Sequence, residues 1–143
     1  MQLHPSRNTL SEWRTTAGGG LLATGIGGPL TGQGVRLAVV DDPVKNREEA
    51  ESALIRQRTW DWFTSTLWTR IEPGGSCIVV HTRWHEDDLI GRLARGEMGD
   101  AAQWEVVNLP AVDEHGEALW PSRWPLSELA KKRAANEYDW HSL

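Results

Sequence analysis

Two short apolar runs in this chain end in chemically active residues. Leu37-Ala38-Val39-Val40 gives way to Asp41-Asp42-Pro43, and Cys77-Ile78-Val79-Val80-His81 gives way to Thr82-Arg83-Trp84-His85-Glu86-Asp87-Asp88-Leu89. Continuous, β-branched runs of this length predict fully buried strands. Adjacent carboxylates repel and resist burial, so a strand that delivers two of them to its tip points to a metal ion or a reacting water.

The intervening pattern predicts helices. Asn46 with Glu49 has the form of a helix cap, and residues 47–70 follow as one long helix with an apolar stripe through Ala53, Trp60, Phe63, Leu67 and Ile71. Pro73-Gly74-Gly75 is expected to end it. Residues 86–95 read as a second helix, with acids in its first turn, arginines near its end and Gly96 as its cap. Residues 104–109 predict a third strand and residues 126–136 a final helix, joined by a loop through Pro110, His115 and Pro121. Before the first run, residues 1–11 are polar and expected to be poorly ordered at their start. Residues 12–34 read as a hairpin, with a short strand at 21–24, leading into a glycine loop. Strands alternating with helices imply an α/β layer built on a mainly parallel sheet.

Composition narrows the possibilities. A chain of 143 residues is one domain at most. No apolar stretch approaches the roughly 20 residues of a membrane span, and no signal sequence opens the chain, so a soluble intracellular protein with no membrane partner is expected. The single cysteine, Cys77, excludes a disulfide within the chain and reads as a small apolar strand residue. A net charge of −5 gives no whole-chain attraction to nucleic acid, leaving only local patches such as Arg92 with Arg95, or Lys131, Lys132 and Arg133. Nine tryptophans against one Tyr and one Phe imply a heavily packed core or a surface made for a partner.

The candidate chemistry starts at Asp41 and Asp42. In nucleotide-hydrolysing sheets, an acid at a strand tip holds the magnesium hydration shell and a second acid positions the attacking water; a capped turn before Pro43 is the bland alternative. Thr82 offers a hydroxyl to a terminal phosphate or the water, and Arg83 a planar charge for phosphate or carboxylate. His85, Glu86, Asp87 and Asp88 read either as a metal cluster or as acids favouring a helix N-terminus, and Trp84 as packing. The stretch Gly27-Gly28-Pro29-Leu30-Thr31-Gly32-Gln33-Gly34 has phosphate-loop glycine spacing, but Gln33 and Gly34 stand where Lys and Ser or Thr are required, and it joins strands. It is not a phosphate loop.

Taken together, residues 41–50, Trp60-Asp61-Trp62-Phe63-Thr64-Ser65-Thr66-Leu67, residues 82–89, Ala118-Leu119-Trp120-Pro121-Ser122-Arg123-Trp124-Pro125-Leu126 and Tyr138-Asp139-Trp140 resemble the ATPase domain of tailed-bacteriophage terminase large subunits. Ala23-Thr24-Gly25-Ile26-Gly27-Gly28 and Leu30-Thr31-Gly32 extend the likeness, which runs from about residue 9 onward. The resemblance implies part of a P-loop NTPase sheet of the additional-strand, RecA-like kind with flanking helices. Within a partial ATPase domain over residues 1–143, it places a Walker B strand at about 36–42, a coupling-motif strand at about 76–83 and a C-terminal helix at about 126–137.

It further implies a motor that hydrolyses ATP, with Mg2+, to move double-stranded viral DNA into a procapsid in the host bacterial cytoplasm. Its partners would be the portal protein, the small terminase subunit and further copies in a homo-oligomeric ring. By position, Asp41 is the magnesium-associated acid, acting through water, and Asp42 the catalytic acid, where many relatives of the fold carry Glu. Thr82, with Arg83, falls at the motif that senses the terminal phosphate. No segment matches the phosphate loop with its lysine, or the family's nuclease domain. This chain alone is therefore expected to be marginally stable, with an open sheet edge, and not to turn over ATP. Two other readings stand beside this one: a metal-dependent nuclease using Asp41, Asp42 and Asp87 or Asp88, and a non-catalytic prophage remnant or binding module.

Overall fold

The computed structural model describes residues 2–28, 30 and 32–140, and the architecture is mixed α/β. An antiparallel sheet of β1 (Leu3–Asn8), β2 (Glu12–Thr15) and β3 (Gly20–Leu22), in that order, opens the chain. Thr9 closes its first turn by accepting from the Glu12 amide at 3.0 Å, and Thr15 its second by accepting from Gly19 at 3.0 Å. The predicted hairpin thus gains a third strand from the polar N-terminal stretch. That strand is held by backbone pairing and leaves no apolar alternation to read. Pro29 and Thr31 of the glycine loop lie outside the described residues.

The two apolar runs form β4 (Val35–Asp41) and β5 (Ile71–Val80), which pair in parallel with Ala38 opposite Cys77, Val40 opposite Val79 and Asp41 opposite Val80. While β4 advances from Val35 to Leu37, β5 runs from Ile71 to Ser76. The excess is a bulge at Pro73-Gly74-Gly75, with Gly74 at φ 75° and the Pro73 carbonyl accepting from Arg36 at 3.1 Å. Pro73 therefore interrupts a strand rather than ending a helix.

The long helix expected over residues 47–70 is broken. Asn46 caps α1 (Arg47–Glu51) by accepting from the Glu49 amide at 3.0 Å, while the Glu49 carboxylate accepts from the Lys45 amide at 3.1 Å. Ser52 then turns extended and caps α2 (Ala53–Trp62). A π-helical turn over Phe63–Leu67 and a 3-10 turn over Trp68–Arg70 complete the crossover. These wide and tight turns deliver Phe63 and Leu67 to the core, where Ala38, Val40, Leu30, Leu89 and Leu93 meet them. Phe63, Trp68 and Trp104 form a triangle with ring centroids 6.1 to 6.3 Å apart, so part of the tryptophan excess is core packing.

Helix α3 (Leu89–Ala94) begins three residues later than expected, because Asp88 is its cap. Residues 104–109 run without a strand partner among the described residues: Trp104 enters the core, while Val106, Val107 and Leu109 are exposed. After a Val112 to Ala118 bridge, α4 (Leu126–Ala135) and α5 (Glu137–Trp140) end the described chain. The parallel pair is covered on one face only. Ala38 and Val40 are buried, whereas Leu37, Val39, Ile78 and Val80 are 57%, 59%, 49% and 53% exposed. All-parallel sheets are generally covered on both faces, so the exposed face of this pair is unusual.

No helix among the described residues is long and apolar enough to cross a membrane.

Candidate active site

Parallel pairing in register brings both strand exits, with Asp41 and Asp42 on one and His81 and Thr82 on the other, to one end of the sheet. Asp41 is the last residue of β4 and is exposed. The next residue, Asp42, donates its amide to Val80 O at 3.0 Å, extending the ladder by one step. It adopts φ 40°, the one left-handed non-glycine among the described residues. Asp tolerates that conformation better than most side chains, at a cost of order 1 kcal/mol. The turn carries its carboxylate across to β5, where Oδ1 accepts from the Thr82 amide at 3.3 Å. Pro43 and Val44 are buried immediately beyond and anchor the turn from below.

His81 stands between two acids. Its side chain is fully buried, with Nδ1 3.7 Å from Asp42 Oδ1 and Nε2 3.6 Å from Asp88 Oδ2. Neither nitrogen makes a hydrogen bond, so the ring is an electrostatic neighbour of both carboxylates. Asp88 is itself buried, accepting from Gly91 N at 2.8 Å through Oδ1 and from Arg83 Nε at 2.9 Å through Oδ2. Burial pushes the Asp88 carboxyl up, but the adjacent His81, the Gly91 amide and the Arg83 charge together outweigh it and hold the group below its ordinary value. Arg83 thus finds the carboxylate partner its geometry suits, with Nη2 also 3.5 Å from the His85 carbonyl.

A second network fastens this loop to α2. Asp87 accepts from Arg92 at 2.8 and 3.0 Å, from Arg95 at 3.0 Å and from Arg56 at 3.4 Å. Arg92, foremost, holds the Asp87 carboxyl down to about 2 against the opposing effect of burial. Arg92 also bonds Gln57 and lies 5.6 Å from the Trp60 ring centroid.

These engagements limit what can bind a metal. Asp87 and Asp88 are committed to arginines and a helix cap, His85 Nδ1 accepts from the Asp87 amide at 2.9 Å, and no group of three or more metal-ligating side chains occurs among the described residues. Of the two readings open for residues 85–88, the metal cluster loses support because Asp87 and Asp88 brace the loop, and the helix reading is corrected in that Glu86 and Asp87 precede α3 instead of forming its first turn. Asp41 and Asp42 bring two exposed carboxylates to this end of the sheet, fewer than an all-protein metal cage requires. A shallow 320 Å³ depression lined by Gly32, Gln33, Gly34 and residues 69–73 lies at the other end of the strands, about 20 Å from the acids by strand rise.

His81 is the residue that motif reading missed. The period of two was the available signal: Cys77 and Val79 face inward along β5, and residue 81 continues that series.

Comparison with protein-family models, curated proteins and solved structures returned no match.

Proposed function

We propose that the chain is a portion of a viral DNA-packaging ATPase of the terminase large-subunit kind, contributing the magnesium and water half of an ATP site. One observation carries the reading: residues forty positions apart, Asp42 and Thr82, share a hydrogen bond at the tip of a parallel strand pair, with Asp41 alongside. In this role Asp41 would hold a magnesium ion, which when bound would supply charge neutralisation on the phosphates. Asp42 orients the attacking water, and Thr82, bonded to Asp42 through its amide, communicates the state of the terminal phosphate to the loop that Arg83, Asp88 and His81 brace. The substrates are ATP and double-stranded viral DNA. The partners are the portal protein, the small subunit and further motor subunits in the host bacterial cytoplasm.

The sheet's incompleteness accords with half a site. Among the described residues β5 pairs only with β4, one face of the pair is open, and the apolar residues 104–109 lack a strand partner. A P-loop NTPase sheet requires a strand with its phosphate loop and lysine, which these 143 residues do not contain. The nuclease alternative loses support because Asp87 and Asp88 already have arginine partners.

Calorimetric titration of the chain with ATP and magnesium tests this, paired with a plasmid cleavage assay. The expected result is no micromolar binding and no cleavage. Micromolar ATP affinity would sink the half-site reading, and magnesium-dependent cleavage would replace it with the nuclease.

A further inference from the structure

The last part of the chain sets three cations against three indoles. Arg123 lies 5.3 Å from the Trp120 ring centroid, Lys132 lies 4.7 Å from that of Trp124, and Arg133 lies 5.9 Å from that of Trp140. The amides of Arg123 and Trp124 both donate to the Trp120 carbonyl, at 3.1 and 2.7 Å, so the first two indoles stand one turn apart. Lys132 and Arg133 are consecutive in the last turn of α4, which links the pairs into one strip.

The strip is open to solvent. Trp120 and Trp124 are 56% and 41% exposed, and Leu129 is the one buried residue of α4. Lys131 is taken by Glu128 at 2.6 Å, but among the described residues Arg123, Lys132 and Arg133 have no carboxylate within ion-pair distance. A cation over an indole fixes the ring, and the exposure of Trp120 and Trp124 leaves apolar ring surface in solvent. The repeating unit is then one flat apolar surface beside one positive charge.

Single-stranded nucleic acid has the matching repeat, a base that stacks and a phosphate that pairs. A duplex keeps its bases stacked on one another and offers indoles nothing, and an acidic peptide has no use for the flat faces. Because the whole chain carries a net charge of −5, attraction to a polyanion requires a local array of this kind, and Arg92 and Arg95 of the other patch are already paired with Asp87. We propose that Trp120, Arg123, Trp124, Lys132 and Arg133 form a binding strip for single-stranded nucleic acid. This assignment stands independently of the ATPase reading, since it uses neither Asp41 nor Asp42.

The test is fluorescence anisotropy of a dye-labelled oligothymidylate titrated with the full chain at several salt concentrations. Three phosphate contacts predict a slope of log K against log salt near about −2, or roughly fifteen-fold weaker binding for a fourfold rise in salt. Trp120→Ala should weaken binding on the order of tenfold while Trp120→Phe retains most of it, because stacking needs only a flat ring. The triple variant Arg123→Gln, Lys132→Gln, Arg133→Gln should flatten the salt slope. Circular dichroism and urea midpoints check that each variant folds. Equal affinity for a duplex of the same length would overturn the proposal, as would equal competition by base-free polyphosphate. So would a folded Trp120→Ala variant that binds unchanged, or no saturable binding at low salt.

Discussion

Removing the Asp88 carboxylate should uncouple the second strand tip from the helix behind it. Asp88 caps α3 through Gly91 N at 2.8 Å and bonds Arg83 at 2.9 Å while buried beside His81. Loss of a cap costs about 1 kcal/mol. A charge-assisted hydrogen bond adds about 1.5 kcal/mol when, as here, the partner is half exposed and regains water once released. Asp88→Ala is therefore expected to lose about 2–3 kcal/mol, and Asp88→Asn, which keeps the cap acceptor, about 1–2 kcal/mol. Urea unfolding followed by tryptophan fluorescence reads both, since Trp68 and Trp104 lie against Phe63 in the core. A change below about 0.5 kcal/mol for Asp88→Ala, within the range of inert surface substitutions, would show that Asp88 neither caps α3 nor holds Arg83. Equal losses for the two variants would refute the division between cap and charge.

Other outcomes follow from the same geometry. Asp87 titrates at about 2 when folded against an ordinary 3.8, so its stabilisation is complete above the ordinary value and disappears as pH falls through about 2. With the side chain 36% exposed, screening reduces this to under about 1 kcal/mol, and urea midpoints between pH 5 and 2 should fall less steeply in Asp87→Asn. Burial pushes the Cys77 thiol up to about 11 from 9.0, so a thiol reagent at pH 8 should label the native chain about 100-fold more slowly than the unfolded one, and equal rates would place Cys77 at the surface. Gly91→Ala would bring a Cβ within 2.0 Å of the Glu86 carbonyl, and a destabilisation of about 1–3 kcal/mol in the same urea assay is expected; a neutral result would mean that the loop before α3 is not held as described.

The strands were legible because four or five consecutive apolar residues have few other uses, and Asp41 and Asp42 announced themselves by breaking such a run. The rest was hidden for identifiable reasons. Ser52 interrupts a stretch whose apolar spacing still fits one helix, because a serine there serves equally as a helical residue or as the cap of a new helix. Pro73-Gly74-Gly75 reads as a terminator, and only pairing with β4 reveals a bulge. Residues 104–109 have strand composition but no strand partner among the described residues, since composition cannot supply a neighbour. At the site, Asp87 and Asp88 look like twin acids in sequence, yet one is ringed by arginines and the other is buried as a cap, distinctions made by residues as distant as Arg56.

In the proposed role, Asp41 and Asp42 form one half of an ATP site whose phosphate-binding half comes from another segment. The direct measurement is magnesium-dependent ATP hydrolysis by the chain alone and by the chain joined to a terminase strand, loop and helix that carry the phosphate-loop lysine. The expected result is no turnover alone, turnover when joined, and its loss in Asp42→Asn. Hydrolysis that survives Asp42→Asn, or turnover by the unjoined chain, would contradict it.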